Sequence, residues 1–397
     1  MPKSKPKSKH ALLSASGASR WLTCTPSARL ESTLPEKSSA YAKEGTEAHM
    51  IAETAALYWL GELSEKAYEN RLAEAPELLK YFNEEMHECA VEYAKIVSEK
   101  VKLLREDCPD AVVEIEVSGL DFSEWVPEGH GTGDCIIVAD GWLEIIDFKY
   151  GKGYRVEADD NPQMRLYALG ALARYAHLYD VKNVRMTIVQ PRLNSVSSSE
   201  MSVEELTAWA RDYVKPRAQL AYTGEGEFAP SADACKFCRA KEQCRARADW
   251  NLKLFDDAPD VALMTTDEAG AILQKAADIK TWLADLESLC VKTLFAGDPV
   301  AGWKLVEGRS NRKFVSEDQV ADAMKAAGYD EALLYERKLI TLTQMEKDFG
   351  KKAVGETLAG LIIKPQGKPT LAPATDKRPA FVPAESVLDA FDEAYEE

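Results

Sequence analysis

The chain has 397 residues, 46% of them hydrophobic and 29% charged, with a formal net charge of −17 and eight cysteines. That composition excludes a disordered or collagen-like polypeptide, and no apolar run is long enough to span a membrane. The acid excess excludes a protein that coats duplex DNA through a uniformly basic surface, while leaving room for a local basic channel that takes a DNA end or a single strand.

In chain order, residues 1–11 (MPKSKPKSKHA) are basic and lead into no apolar signal core, so a flexible N-terminus and a cytoplasmic location are expected. Cysteines without an export signal argue against a disulfide framework. Ser14 to Pro26 reads as a short helix, with Ser14 and Ser16 as N-caps, Trp21-Leu22 as its buried face and Pro26 as its stop. Cys24, taken alone, reads as a small buried hydrophobe. Residues 40–60 form an amphipathic helix carrying Gly45-Thr46-x-x-His49, with Glu53 one turn on and placed to hydrogen-bond the His49 ring. A lone helical histidine is commonly only a packing residue. Residues 63–107 are expected to be helical throughout, and His87, Cys89 and Cys108 have no metal-ligand spacing there. Residues 111–117 alternate like a strand, with Glu114 and Glu116 on one face and Glu116 as an accessory acid or a solvated one.

The stretch from Gly131 to Tyr167 organises the rest. Cys135–Val138 and Leu143–Phe148 are apolar runs separated by Asp140-Gly141, a hairpin signal. Asp134 stands at the leading end of the first run. The second ends in Asp147-Phe148-Lys149, and alternation puts Asp147 and Lys149 on one face. A helix from about Asn161 to Tyr175 follows, with Gln163 and Tyr167 one turn apart. Two carboxylates and a lysine at the ends of paired strands suit a hard divalent cation beside a phosphate.

Residues 183–189 read as a further strand running into Gln190-Pro191-Arg192. Residues 202–222 read as a helix with Ser202 and Glu205 spaced as a capping box and a kink or restart at Pro216. Then comes Cys235-x-x-Cys238-x-x-x-x-x-Cys244. Three cysteines and an unidentified fourth ligand would make a structural zinc site; with Cys24 returning from the far end, they would make a four-thiolate iron–sulfur site. Lys236, Arg239, Lys241, Arg245 and Arg247 are either a solvated face or a basic rim for DNA. A long helix is expected over 266–295 and a short strand over 302–306. The turn Arg309-Ser310-Asn311-Arg312-Lys313, flanked by Trp303 and Phe314, is either a strand-binding loop or a plain charged hairpin. From residue 365 a proline-rich linker leads to an acidic tail carrying Leu388, Phe391 and Tyr395 at helical spacing. That tail is a docking helix for a basic partner, a phosphate mimic folded over the chain's own channel, or a solubilising extension. The chain carries no Gly-x-x-x-x-Gly-Lys-Ser/Thr loop and so no motor of its own.

Gly131-x-x-Asp134, Asp147-Phe148-Lys149, Gln163-x-x-x-Tyr167 and Gly45-Thr46-x-x-His49 together resemble the motifs of the PD-(D/E)XK nuclease superfamily, in its RecB-like branch. Cys24 ahead of these motifs and three cysteines behind them resemble the AddB-like and CRISPR-adaptation nucleases that carry an iron–sulfur cluster. The Trp303-Lys304-x-x-x-Gly308-Arg309 stretch resembles a phage protein family long without an assigned function and grouped with these nucleases. The resemblance implies an α/β fold with a mixed sheet flanked by helices and a helical C-terminal addition, the nuclease domain spanning 12–250, a helical domain with a short hairpin spanning 251–364, and the linker and tail spanning 365–397. It implies that His49, Asp134, Asp147 and the Phe148 carbonyl hold Mg²⁺ or Mn²⁺, that Lys149 positions a water, and that Gln163 and Tyr167 align the strand or the lysine. It implies that Cys24, Cys235, Cys238 and Cys244 hold a [4Fe-4S] cluster, with structural Zn²⁺ as the alternative. The expected function is a metal-dependent DNA exonuclease of phage recombination or processing, acting on DNA ends or single strands in a bacterial host. A phage single-strand-binding or annealing protein is the expected partner of the tail. The rivals are a non-catalytic DNA-binding scaffold and an endonuclease that works beside a helicase.

Overall fold

The structure is a computed structural model that describes residues 11–35, 39–256, 264–304, 317–327 and 342–358. The Arg309–Lys313 turn, residues 305–306 of the expected 302–306 strand, and the linker and acidic tail lie outside the described residues. The chain divides into two compact units, Met1–Val300 and Ala301–Glu397.

In the first unit a five-stranded sheet runs in the order β1 (Val112–Asp121), β2 (His130–Ala139), β3 (Gly141–Phe148), β4 (Val181–Gln190) and β5 (Ser195–Ser202). Only β3 and β4 are parallel; the other neighbours are antiparallel. Asp140-Gly141 closes the β2–β3 hairpin, with Ala139 opposite Trp142, and Gly141 takes the positive φ of 86° that such a tight turn favours. The parallel step needs a crossover, which α6 (Pro162–Tyr175) supplies. Asn161 caps it, its side chain accepting from the backbone N–H of Gln163 and Met164.

The sheet is buried on both sides. One face carries Ile136, Val138, Leu143, Ile145, Val184, Met186 and Ile188 against α6 and the short helices α1 (Ala18–Thr23), α7 (Val203–Trp209) and α8 (Lys215–Thr223). The other carries Cys135, Ile137, Ile146, Phe148 and Val189 against α3 (Ala40–Trp59), α4 (Glu65–Leu78) and α5 (Glu84–Asp107). This is the expected mixed α/β arrangement with helices on both faces. Cys89 and Cys135 are core residues of the second face. The first unit also holds α2 (Ser27–Ser32) near the N-terminus and, after the sheet in the chain, α9 (Ala232–Lys236), α10 (Arg245–Asp256) and the 30-residue α11 (Thr266–Phe295). Described by itself, the second unit holds three helices, α12 (Glu317–Ala326), α13 (Leu342–Phe349) and α14 (Lys351–Thr357), among its described residues. No helix among the described residues is long and apolar enough to cross a membrane.

Three elements differ from expectation. The helix expected over 63–107 breaks between α4 and α5, where Glu47 accepts from the backbone N–H of Lys80 and Tyr81 and Asn83 restarts the helix as its N-cap. The helix expected over 202–222 starts on the foreseen Ser202–Glu205 capping box, but takes a π turn at Ala210–Val214 just ahead of Pro216. A strand after 183–189 was not expected: β5 pairs along β4, and its Ser-x-Ser-Ser-Ser sequence carries no apolar alternation to announce an edge strand.

The crossover helix sits close on β1. A Cβ added at Gly170 would lie 2.8 Å from Leu120 Cβ and 2.9 Å from its backbone carbon. Gly170→Ala is therefore expected to cost ~1–3 kcal/mol, as over-packing generally does, read as a lower denaturation midpoint with an unchanged slope.

Candidate metal centre and cysteine cavity

The pairing of Cys135 with Ile146 brings Asp134, midway along β2, beside Asp147 near the end of β3. His49 arrives from α3: its Nδ1 lies 3.2 Å from Asp134 Oδ1, and its ring stands edge-on to Phe148 at 5.5 Å. The Phe148 backbone N–H donates to Asp134 Oδ2 (2.7 Å), so both Asp134 oxygens are oriented. Lys149 Nζ lies 3.0 Å from Asp147 Oδ2 and donates to Gln163 Oε1 (3.1 Å). Gln163 Nε2 in turn donates to Tyr167 Oη (3.2 Å). The structure thus brings together His49, Asp134, Asp147, Phe148, Lys149, Gln163 and Tyr167. Gly131 shares the site for a steric reason: a Cβ there would meet Tyr167 Cε1 at 2.7 Å.

Glu116 joins this group more firmly than its sequence suggests. His49, Glu116 and Asp134 are the one set of three His, Cys, Asp or Glu residues among the described ones whose ligand atoms lie mutually within 4.8 Å. The backbone arranges this. Ile115 packs on the α5 side and Val117 in the α6-side core, so strict alternation breaks between them. Glu116 takes the break with a φ of +50°, sparsely populated for a residue with a side chain. Such strain persists where the surroundings over-determine it, often at functional sites. Glu53 does not play its expected part: the ring's polar partner is Asp134.

The charges form an alternating set. Burial works against the His49 charge, but the Asp134 carboxylate, with Asp147 behind it, outweighs burial and raises the ring to about 9. Burial likewise opposes the Lys149 charge, and Asp147 and Asp134 outweigh it. The two carboxylates are pushed apart, as close like charges must be. Burial raises Asp147, against Lys149 and with help from Asp134. Asp134 goes down despite its burial, because His49 and the Phe148 N–H favour its charge. Burial and then Asp134 lift Glu116 to about 7. Asp147 Oδ2 is buried without an aligned hydrogen-bond donor; Lys149 is near enough for an ion pair only. The close set of His49, Glu116 and Asp134 offers carboxylate oxygens and one imidazole, a donor set that fits a hard divalent cation, and Asp147, on the strand next to Asp134, lies outside that close set.

At a second place Cys24, Cys235, Cys238 and Cys244 line one cavity with Pro230 and Ala234, all four as free thiols. No three of the sulfurs lie mutually within 4.8 Å, a wider spread than one tetrahedral zinc ion with bonds of about 2.3 Å would impose. Burial raises the Cys24 and Cys235 thiols and lifts Cys238 to about 11. Of the nearby cations, Arg247 is buried and pairs with Asp285 of α11 (2.6 Å), and Lys241 pairs with the same carboxylate (2.9 Å). Through Asp285 those two brace α10 and the segment before it against α11. Gln190, which the sequence placed only at a strand end, is 2% exposed, and its amide shapes the loop that leaves Lys149.

Fold and site define a mixed α/β protein with a carboxylate–histidine centre at the end of its sheet. The chain belongs to the family described as "Protein of unknown function (DUF2800)", whose model matches residues 10–379. A solved structure described as "Crystal structure of SSO0001" is similar over 45% of this chain and 81% of its own, at 16% identity and a TM-score of 0.21. At that score the likeness carries nothing about fold or function.

The His49 shift has a consequence for the metal-free protein. A pKa raised from 6.5 to about 9 in the folded state adds stability that is complete below about pH 6.5 and is lost as pH rises through about 9. Thermal melts in excess chelator at pH 6 and pH 9.5 should therefore show a gap between wild type and His49→Gln that narrows by ~2–4 °C at the higher pH. A gap independent of pH would contradict the ion pair.

Proposed function

We propose that the chain is a divalent-metal-dependent deoxyribonuclease of the PD-(D/E)XK kind, RecB-like, that works as an exonuclease on DNA ends or single strands. The observation that carries this reading is the meeting of His49, Glu116 and Asp134 next to the Asp147–Lys149–Gln163–Tyr167 chain of contacts. His49, Glu116, Asp134, Asp147 and the Phe148 carbonyl would hold Mg²⁺ or Mn²⁺. The ion would supply charge stabilisation to the phosphate and a more acidic bound water. Lys149, fixed by Asp147 and Gln163, would hold the attacking water in line and offset charge on the phosphorane. Water adds to phosphorus, the P–O3′ bond breaks, the proton passes to O3′, and the product keeps a 5′-phosphate. Action at ends is favoured by the net charge of −17, which disfavours a duplex-coating mode.

The cysteine cavity supports a second, structural cofactor. Its four thiols come from both sides of the motifs and line one cavity, an arrangement that a four-thiolate [4Fe-4S] cluster would use, with structural Zn²⁺ as the alternative. The cluster would close a loop that contains the whole sheet, lowering the entropy of the unfolded chain.

Asp134→Ala and Lys149→Ala are each expected to lower hydrolysis of end-labelled linear DNA by about 10²-fold or more, with the fold retained by circular dichroism and, for Lys149→Ala in chelator, a lower melting temperature because Asp147 loses its cation. Linear substrates should be degraded with Mg²⁺ or Mn²⁺ while closed circles persist. Cutting of circles would turn the reading to an endonuclease, and full activity in either variant would remove the site. Tight DNA binding without cleavage by the wild type would leave the scaffold rival. Protein purified without oxygen should be brown, with broad absorbance near ~400 nm, and chelation that stops hydrolysis should leave the colour. A colourless protein with one equivalent of zinc would replace the cluster.

A further inference from the structure

The loop after β3 leaves the candidate centre at Lys149 and runs exposed through Gly151-Lys152-Gly153-Tyr154-Arg155. An exposed run of this kind would ordinarily be loosely held. Here Gln190, at the end of β4, holds it from beneath: Nε2 donates to the carbonyls of Gly151 (2.5 Å) and Tyr154 (3.0 Å), and Oε1 accepts from the Val156 N–H (3.1 Å). The buried amide spends its polar capacity on that loop, so the backbone carrying Tyr154 has a fixed shape.

Tyr154 is 48% exposed and meets Phe237, 60% exposed, with ring centroids 5.8 Å apart. Lys236 Nζ lies 3.8 Å from the Tyr154 centroid and 5.5 Å from that of Phe237. Lys236 and Phe237 are the two residues between Cys235 and Cys238. A single exposed aromatic needs no explanation. Two that meet across separate segments, with a lysine on them and Lys152 exposed beside them, keep apolar faces and cations together in water on a protein of net charge −17. Five extended residues span at most about 18 Å, so Tyr154 lies within that distance of Lys149.

We infer that Tyr154 and Phe237, with Lys236 and Lys152, form a stacking subsite for an unpaired nucleobase of single-stranded DNA, and so hold the strand whose phosphate lies at the candidate metal centre. The inference deepens the nuclease reading and rests on it. Ring faces accept any base, and lysines beside them meet the flanking phosphates. Duplex DNA, whose bases are already stacked, gains nothing from the rings. The cysteine-bearing segment supplies half of the platform, so the cavity would serve DNA binding by fixing Phe237 against Tyr154.

The test is fluorescence anisotropy of the full-length protein with labelled oligo(dT) and with a duplex, Ca²⁺ replacing Mg²⁺ to prevent turnover. Tyr154→Ala with Phe237→Ala should raise the Kd for oligo(dT) at least about tenfold, while Tyr154→Trp with Phe237→Trp retains it. Lys236→Gln should lower the slope of log K against log salt by about 0.7. Tyr154→Ala alone, which leaves the sequence between the cysteines unchanged, guards against a folding artefact at Phe237 and should show part of the loss. Oligo(dT) binding that is absent in the wild type, indifferent to the double alanine variant, or lost in step with duplex binding would overturn the subsite. Ring-dependent binding without hydrolysis in Mg²⁺ would contradict the nuclease reading and leave the subsite standing. Hydrolysis with ring-independent binding would do the reverse.

Discussion

Two carboxylates buried side by side are the constraint on which this structure depends. Asp134 and Asp147 stand on neighbouring strands, Asp147 only 3% exposed, and like charges so placed repel strongly unless cations accompany them. His49 answers Asp134 from one side of the sheet and Lys149 answers Asp147 from the other. The helices follow from this need. α3 must bring His49 over Phe148, and α6 must bring Gln163 and Tyr167 to hold Lys149 in place. Small residues permit the approach, because Gly131 leaves room for the Tyr167 ring and Gly170 lets α6 lie on β1. A site built from strand ends and helix faces is held more precisely than one built from loops.

A second constraint ties the N-terminal segment to the segment beyond the sheet. Thr25 Oγ1 donates to the Glu225 carbonyl (2.8 Å), Arg29 Nε to that of Tyr222 (2.5 Å), and Arg217 Nη1 to that of Leu22 (2.8 Å). The buried carboxylate of Glu31 accepts from both Arg20 (2.8 Å) and the Arg239 N–H (2.8 Å). Gly226, at a positive φ of 93°, lies where any Cβ would strike the Thr25 hydroxyl. These contacts gather Cys24 and the three later cysteines around one cavity. The clasp is thus written in ordinary hydrogen bonds as well as in thiols, and a bound cluster would reinforce a closure the polypeptide already makes.

Much of this was legible in the sequence because the signals were local. Asp140-Gly141 between β-branched runs fixed the hairpin and its register, and with it the pairing of Asp134 and Asp147. Asn161-Pro162 marked the start of α6. The misses have physical causes. β5 is an edge strand of serines, and its identity comes from pairing with β4, not from alternation. Asn83 before two glutamates signalled a new helix start, but the surrounding charged residues read equally well as continuous helix. Glu116 reaches His49 and Asp134 through one left-handed backbone angle, which no side-chain pattern reports. Gln190 is invisible to sequence because its partners are backbone groups of a loop more than thirty residues away.

Anomalous diffraction from crystals soaked in Mn²⁺ tests the metal centre most directly. The account predicts a manganese peak within about 2.0–2.3 Å of oxygens from Asp134 and Asp147 and of a His49 ring nitrogen. Glu116 would be the next ligand. A Mn²⁺-loaded crystal with no peak at those carboxylates, or with His49 still paired to Asp134 and the metal elsewhere, would contradict it.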